Sequence, residues 1–196
     1  MFLLGIDTST PIVSVALVRN GLVLAEGVEG ELTGAQLHAE RLAIMVQEVM
    51  AGYRFTELDG VAVGVGPGPY TGLRVGMVTA ETIAHVAGIP VFGVSSLDAI
   101  AHGLRRAGQS GIVQASIDVK RKEYAIARYD THDRPIEGPL LVPAAGVVPG
   151  PVPHAADIAF IAIVRALRGE EQPVTPLYMR HPDATVSTTK KSTVQS

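Results

Sequence analysis

Asn20-Gly21 stands between two runs of apolar and β-branched residues, Ile12–Val18 and Leu22–Val28. Both turn positions tolerate positive φ, as a two-residue hairpin requires. That turn commits the runs to antiparallel neighbours in one sheet. The rhythm then changes. A helix is expected over Gln36–Ala51 and an apolar strand over Gly60–Val65. A helix over Gly72–Ala87 follows, stopped by Gly88 and Pro90, and then a strand over Val91–Val94. Ser95-Ser96 with Asp98 caps a further helix that ends near Arg106. With a buried strand at Phe2–Ile6, the order is βββαβα, ending near Arg106.

The pattern starts again after a linker at Arg106–Gly111. A strand over Ile112–Ile117 ends in Asp118, as the first strand ends in Asp7. Lys120–Lys122 turn the chain, Glu123–Tyr129 returns, and Pro139–Val142 is a third strand. A Pro- and Gly-rich stretch over Pro143–Pro153 and one helix over Ala155–Leu167 complete a shortened second half. The expected division is a first lobe over 1–106, a reduced second lobe over 107–184 and a disordered tail over 185–196.

Composition narrows the function. Charged residues are 18% and hydrophobic residues 47% of the 196, too apolar for a disordered chain. No apolar run reaches the ~20 residues of a membrane span. The start MFLLGIDTST lacks a basic region, and Asp7 interrupts it, so no signal peptide and a cytoplasmic location are expected. There is no cysteine, which excludes disulfides, thiol nucleophiles and Cys-ligated zinc. A net charge of −3 leaves no basic footprint for nucleic acid. The six histidines have no pair at helical spacing, so no metal site is expected, and no Ser, His and carboxylate form a readable catalytic signature.

Two loops carry possible chemistry. Asp7-Thr8-Ser9-Thr10 puts a carboxylate and three hydroxyls at a strand end, where a metal–phosphate group can sit, or where they merely cap the turn. Gly66-Pro-Gly-Pro-Tyr-Thr-Gly72 joins a strand to a helix. There backbone N–H groups attract anions, or the loop is a stiff corner with Thr71 as the helix cap. Asp7, Thr8, Ser9, Thr10, Gly66 and Gly68 are the candidate phosphate residues. Two prolines remove two donors, and neither a Walker A loop nor a dinucleotide fingerprint is present.

The two helices of the first half carry surplus apolar surface. Leu42, Met45, Val46 and Val49 form one stripe, with His38 and Arg41 at its start, while Ile44 and Met50 fall outside it. Gly72, Gly76, Ala80 and Ala84 make a smooth face on the next helix, flanked by Arg74, Val78, Glu81 and His85. Such faces are either core or a surface for a second protein.

These residues resemble the TsaB (YeaZ) family. The resemblance lies in Leu3-Leu-Gly-Ile-Asp-Thr-Ser-Thr10, His38-Ala-Glu-Arg-Leu42 and Gly66-Pro-Gly-Pro-Tyr-Thr-Gly-Leu-Arg74. Gly88-Ile-Pro-Val-Phe-Gly-Val-Ser-Ser-Leu-Asp98, Asp118-Val-Lys-Arg-Lys-Glu-Tyr124 and Pro176-Leu-Tyr-Met-Arg180 extend it. The resemblance implies an α/β ASKHA (actin-like, RNase H-like) fold of two βββαβα-type lobes, the second reduced. It implies an accessory subunit that is not an enzyme on its own. Such a subunit pairs with a TsaD-like transferase, and with a TsaE-like ATPase, to make N6-threonylcarbamoyladenosine next to the tRNA anticodon. It touches tRNA only indirectly. The related TsaD carries a His-x-x-x-His pair where this chain has Ser95-Ser96-Leu97-Asp98-Ala99. The implied interface is His38, Arg41, Leu42, Met45, Val46, Val49, Tyr70, Arg74, Met77, Val78, Ala80 and Glu81, with a homodimer when TsaD is absent. No cofactor is expected to bind tightly, ATP and Mg entering only within the complex. A stand-alone ATPase or phosphotransferase acting through Asp7–Thr10 is the alternative, and a peptidase comes last.

Overall fold

A computed structural model describes residues 1–30 and 35–179, the side chains of 35–38 excepted. The expected interface role of the His38 side chain and the expected tail over 185–196 lie outside the described residues. In chain order the elements are β1 (Phe2–Asp7), β2 (Val13–Arg19), β3 (Leu22–Glu29), α1 (Ala35–Val49), β4 (Gly60–Gly64), α2 (Tyr70–Ala87), β5 (Val91–Val94), α3 (Ser96–Arg106), β6 (Val113–Asp118), β7 (Glu123–Tyr129), β8 (Pro135–Pro143) and α4 (Ala155–Leu167). The first sheet has the order β3-β2-β1-β4-β5 and the second β6-β7-β8.

β1 pairs antiparallel with β2 and parallel with β4, and β4 pairs parallel with β5. The sheet is thus mixed, antiparallel through the hairpin and parallel where α-helical crossovers join the strands. The hairpin itself has Asn20 at φ 49° and Gly21 at φ 80°, the positive pair a type I′ turn requires. α2 ends where expected, with Gly88 left-handed at φ 69°. Ser95 caps α3 by accepting from the Leu97 N–H. Thr71 does not cap α2. The helix begins two residues earlier than expected, at Tyr70, after Pro69. The third strand of the second sheet is longer than expected, starting at Pro135 rather than Pro139.

The central strands β1 and β4 are buried along their whole length, because the sheet is covered on both faces. Phe2, Leu4 and Ile6 of β1, with Val61 and Val63 of β4, meet α1 and α2 through Leu42, Met45, Val46, Val49, Leu73 and Met77. The alternate positions, Leu3, Ala16, Val18 and Ala62, meet Ala155, Ile158, Ala159 and Ala162 of α4. Small residues line this second face, so α4 lies close to the sheet. A Cβ on Gly5 would collide with the Ala155 carbonyl.

This placement corrects the division read from the sequence. Residues 155–167 were assigned to the second lobe, but α4 crosses back and packs on the first sheet. In exchange, Leu97, Ile100 and Ala101 of α3 cover the second sheet at Val113, Ala115, Ile117, Ala127 and Tyr129. Each lobe thus borrows its covering helix from the other half of the chain. The linker after α3 is pinned. Arg105 donates to the carbonyls of Gln109, Gly111 and Asp130.

Candidate partner-binding face

The Asp7 corner is closed. Asp7, Thr8 and Ser9 have no exposed surface. One Asp7 oxygen accepts from the Ser9 N–H at 2.9 Å and the Ser9 hydroxyl at 2.7 Å, and the other accepts from the Ser96 hydroxyl at 2.6 Å. The Thr8 hydroxyl donates to the Gly72 carbonyl at 2.8 Å. The glycines of the neighbouring loop serve packing. A Cβ on Gly68 would strike the Ser9 carbonyl, and one on Gly66, at φ 95°, would press on Leu73. The six candidate phosphate residues therefore come together, except that they fill their own corner. Both carboxylate oxygens face serine donors instead of an open cleft.

Burial pushes the Asp7 carboxyl above its ordinary value of 3.8, and the bonds from Ser96 and Ser9 pull it back only in part. A raised folded-state value means that this group's stabilising contribution is full below its unfolded value. The contribution is lost as pH rises through the folded value. Asp7→Asn keeps an acceptor for Ser9 and offers an N–H to the Ser96 oxygen. The variant is expected to match or exceed the native chain in Tm at neutral pH, with the Tm difference widening as pH rises from 3.8. Thermal melts across that range check it. A steep loss of stability in the variant at neutral pH would sink this account of the corner.

The smooth stripe of α2 is also used inside the molecule. Cβ atoms on Gly72 and Gly76 would collide with the backbone and the hydroxyl of Thr8, and Ala80 and Ala84 are buried in the core. The stripe lets α2 lie against the β1 loop, not against another protein. The same finding revises half of the expected interface. Leu42, Met45, Val46, Val49, Met77 and Ala80 are core residues between α1, α2 and the sheet. They have no surface to offer a partner. Arg41 is tied to Glu29 of β3 by a two-pronged ion pair, and that contact holds the Glu29 carboxyl below its usual range.

What remains outside is a second row on the same helices. Tyr70 is 44% exposed, Val78 58% and Val86 80% on α2, with Ile44 at 44% on α1. Arg74, Glu81 and His85 lie in the same row and are exposed. Ile44 carried a signal in the sequence, as an apolar residue outside the core stripe. Tyr178 stood in the Pro176–Arg180 motif of the resemblance but carried no sign of an interface role. It lies 104 positions from Arg74, yet its hydroxyl accepts from Arg74 Nε at 3.2 Å, and its ring stacks on Tyr70. The row mixes exposed apolar and aromatic residues with Arg74, Glu81 and His85, a composition suited to a protein-binding patch.

A separate cavity of about 680 Å³ opens between α3, α4 and the β7–β8 turn, lined among others by Asp98, His102, Arg134, Phe160 and Arg168. Its acidic groups are engaged. Asp98 accepts from Tyr129 and Arg165, and Asp157 beside it is paired with His102 and Arg106. Among the described residues no group of His, Asp and Glu is placed to hold a metal ion. Among the described residues no helix is long and apolar enough to cross a membrane.

Comparison with known proteins gives the lineage. Residues 26–149 match the family model described as "TsaD: tRNA N6-adenosine threonylcarbamoyltransferase". An uncharacterized protein of Mycobacterium tuberculosis is 40% identical over 202 aligned positions, covering 92% of each chain. The tRNA threonylcarbamoyladenosine biosynthesis protein TsaB of Escherichia coli is 36% identical over 138 positions, 69% of this chain and 58% of that one. The solved structure of YeaZ from Pseudomonas aeruginosa superposes with a TM-score of 0.79 at 27% identity, over 91% of this chain and 99% of that one. With the mixed sheet and the second, three-stranded sheet already described, the fold is that of YeaZ, and the chain belongs to the TsaB (YeaZ) family.

Proposed function

We propose that this chain is the accessory, non-catalytic subunit in N6-threonylcarbamoyladenosine formation on tRNA. It pairs with a TsaD-like transferase through the exposed row on α1 and α2. The observation that carries the reading is that row, Ile44, Tyr70, Val78 and Val86, left outside a core that is otherwise filled. The role of the Escherichia coli relative in threonylcarbamoyladenosine biosynthesis supports the pathway. The stretch Ser95–Ala99, which by resemblance corresponds to the transferase's His-x-x-x-His, holds no histidine, and the Ser95 and Ser96 hydroxyls are used to cap α3 and to hold Asp7. The closed Asp7 corner weighs against the alternative, a stand-alone ATPase acting through Asp7–Thr10. ATP with Mg enters in the assembled complex, together with a TsaE-like ATPase, and tRNA contact is indirect.

Light scattering on a size-exclusion column tests the pairing. Alone, the chain is expected as a homodimer that covers the same row, since exposed apolar rows seek cover. With the TsaD-like protein of the same genome it is expected to exchange into a heterodimer. A chain that elutes as a monomer, indifferent to that protein, refutes the reading.

A further inference from the structure

The C-terminal segment Gln172–Tyr178 runs beside the outer parallel edge of the first sheet. Gly93 donates its N–H to the Gln172 carbonyl at 3.0 Å, and Leu177 donates to the Val65 carbonyl at 2.8 Å. A Cβ at Gly93 would strike the Pro173 carbonyl, so glycine there lets the segment come close. Val174 and Tyr178 pack on the core beneath α1 and α2. The segment is thus a strap, fastened at two points, that delivers Tyr178 to the first turn of α2.

What it builds there is specific. The Tyr178 and Tyr70 rings stack with centroids 5.1 Å apart. The Arg74 guanidinium lies 4.1 Å from the centre of the Tyr70 ring, and its Nε donates to the Tyr178 hydroxyl. Two aromatic rings from distant parts of the chain therefore fix one cation at the end of the exposed row. Arg74 is exposed, and among the described residues Nε is its one guanidinium nitrogen with a hydrogen-bond partner. A planar pair of N–H donors held on aromatic faces matches a carboxylate and is preorganised for it.

We infer that the strap Gln172–Tyr178 is part of the pairing face, and that Tyr70 and Tyr178 present Arg74 to a carboxylate side chain of the TsaD-like partner. This rests on the pairing proposed above and adds a chemical contact to it. Tyr178 is a positioning residue, acting through Arg74.

The test is the affinity of full-length variants for the TsaD-like protein, by calorimetry at low and high salt. Arg74→Gln is expected to weaken pairing about tenfold and to flatten its salt dependence, since the lost contact is ionic. Tyr178→Phe keeps the stack and removes the acceptor, with an expected loss of about threefold. Tyr178→Ala is expected to weaken pairing about as much as Arg74→Gln, and the double variant no further, because both act through one contact. Arg74 is exposed and Tyr178→Phe is conservative, so both fold. Val78→Asp reports on the pairing itself. If Val78→Asp fails to pair while Arg74→Gln and Tyr178→Phe pair like the native chain at low salt, the strap inference falls and the pairing stands. If Val78→Asp also pairs like the native chain, the pairing reading falls and the inference with it.

Discussion

A Val78→Asp chain is expected to stay folded and to lose its partner. Val78 is 58% exposed in the middle of the row on α2, so the substitution removes little from the core and places the carboxylate in water. Far-UV circular dichroism and Tm should match the native chain, since surface changes of this kind usually move stability by about 0.5 kcal/mol or less. In a complex the same carboxylate is desolvated in the middle of the contact, with Arg74 one turn away as a partial counter-charge. A fully uncompensated buried charge costs about 3–5 kcal/mol, which sets an upper bound of about two to four orders of magnitude in affinity. Calorimetry against the TsaD-like protein reads this directly. Native affinity in this variant would move the interface elsewhere on the molecule.

Met45→Asp, one helix away, has the opposite signature. Met45 is 1% exposed and packed among Leu42, Val49, Leu73 and Met77. Removing its side chain alone costs about 2–5 kcal/mol. A carboxylate or a neutral acid in its place adds an unpaired polar group at several kcal/mol more. The sum approaches the whole stability of an ordinary domain, about 5–15 kcal/mol. The variant is expected to be unfolded or insoluble, seen as loss of the cooperative melt. A folded Met45→Asp chain that fails only to pair would restore the interface expected from sequence periodicity. The two variants together separate a core stripe from a surface row on the same helix pair.

Helical periodicity does not make that separation. The stripe Leu42, Met45, Val46 and Val49 was legible as apolar and one-sided, but a stripe facing a sheet and one facing a partner have the same spacing. The same ambiguity holds for Gly72, Gly76, Ala80 and Ala84. Their smallness was visible, and its use against the Thr8 loop was not. The row that stayed outside, with Val78 and Ile44, was secondary in the pattern because its apolar residues are interrupted by Arg74, Glu81 and His85.

Local chemistry was decisive where a few neighbouring residues set the backbone. Asn20-Gly21 made the hairpin, Gly88 ended α2, and Ser95 capped α3. From these, with the strand and helix periodicities, the βββαβα order and the β2–β3 hairpin were legible, because turns, caps and periodicity act between residues close along the chain. The family was legible separately, in motifs such as Gly66–Arg74 and Gly88–Asp98.

Only the tertiary structure decided which apolar face is covered. It showed α4 crossing back onto the first sheet, the Asp7 carboxylate capped by Ser9 and Ser96, and Tyr178 carried to Arg74. Each of these except the Ser9 contacts joins residues tens to more than a hundred positions apart. Burial at such range depends on where whole elements pack, and no local spacing encodes that.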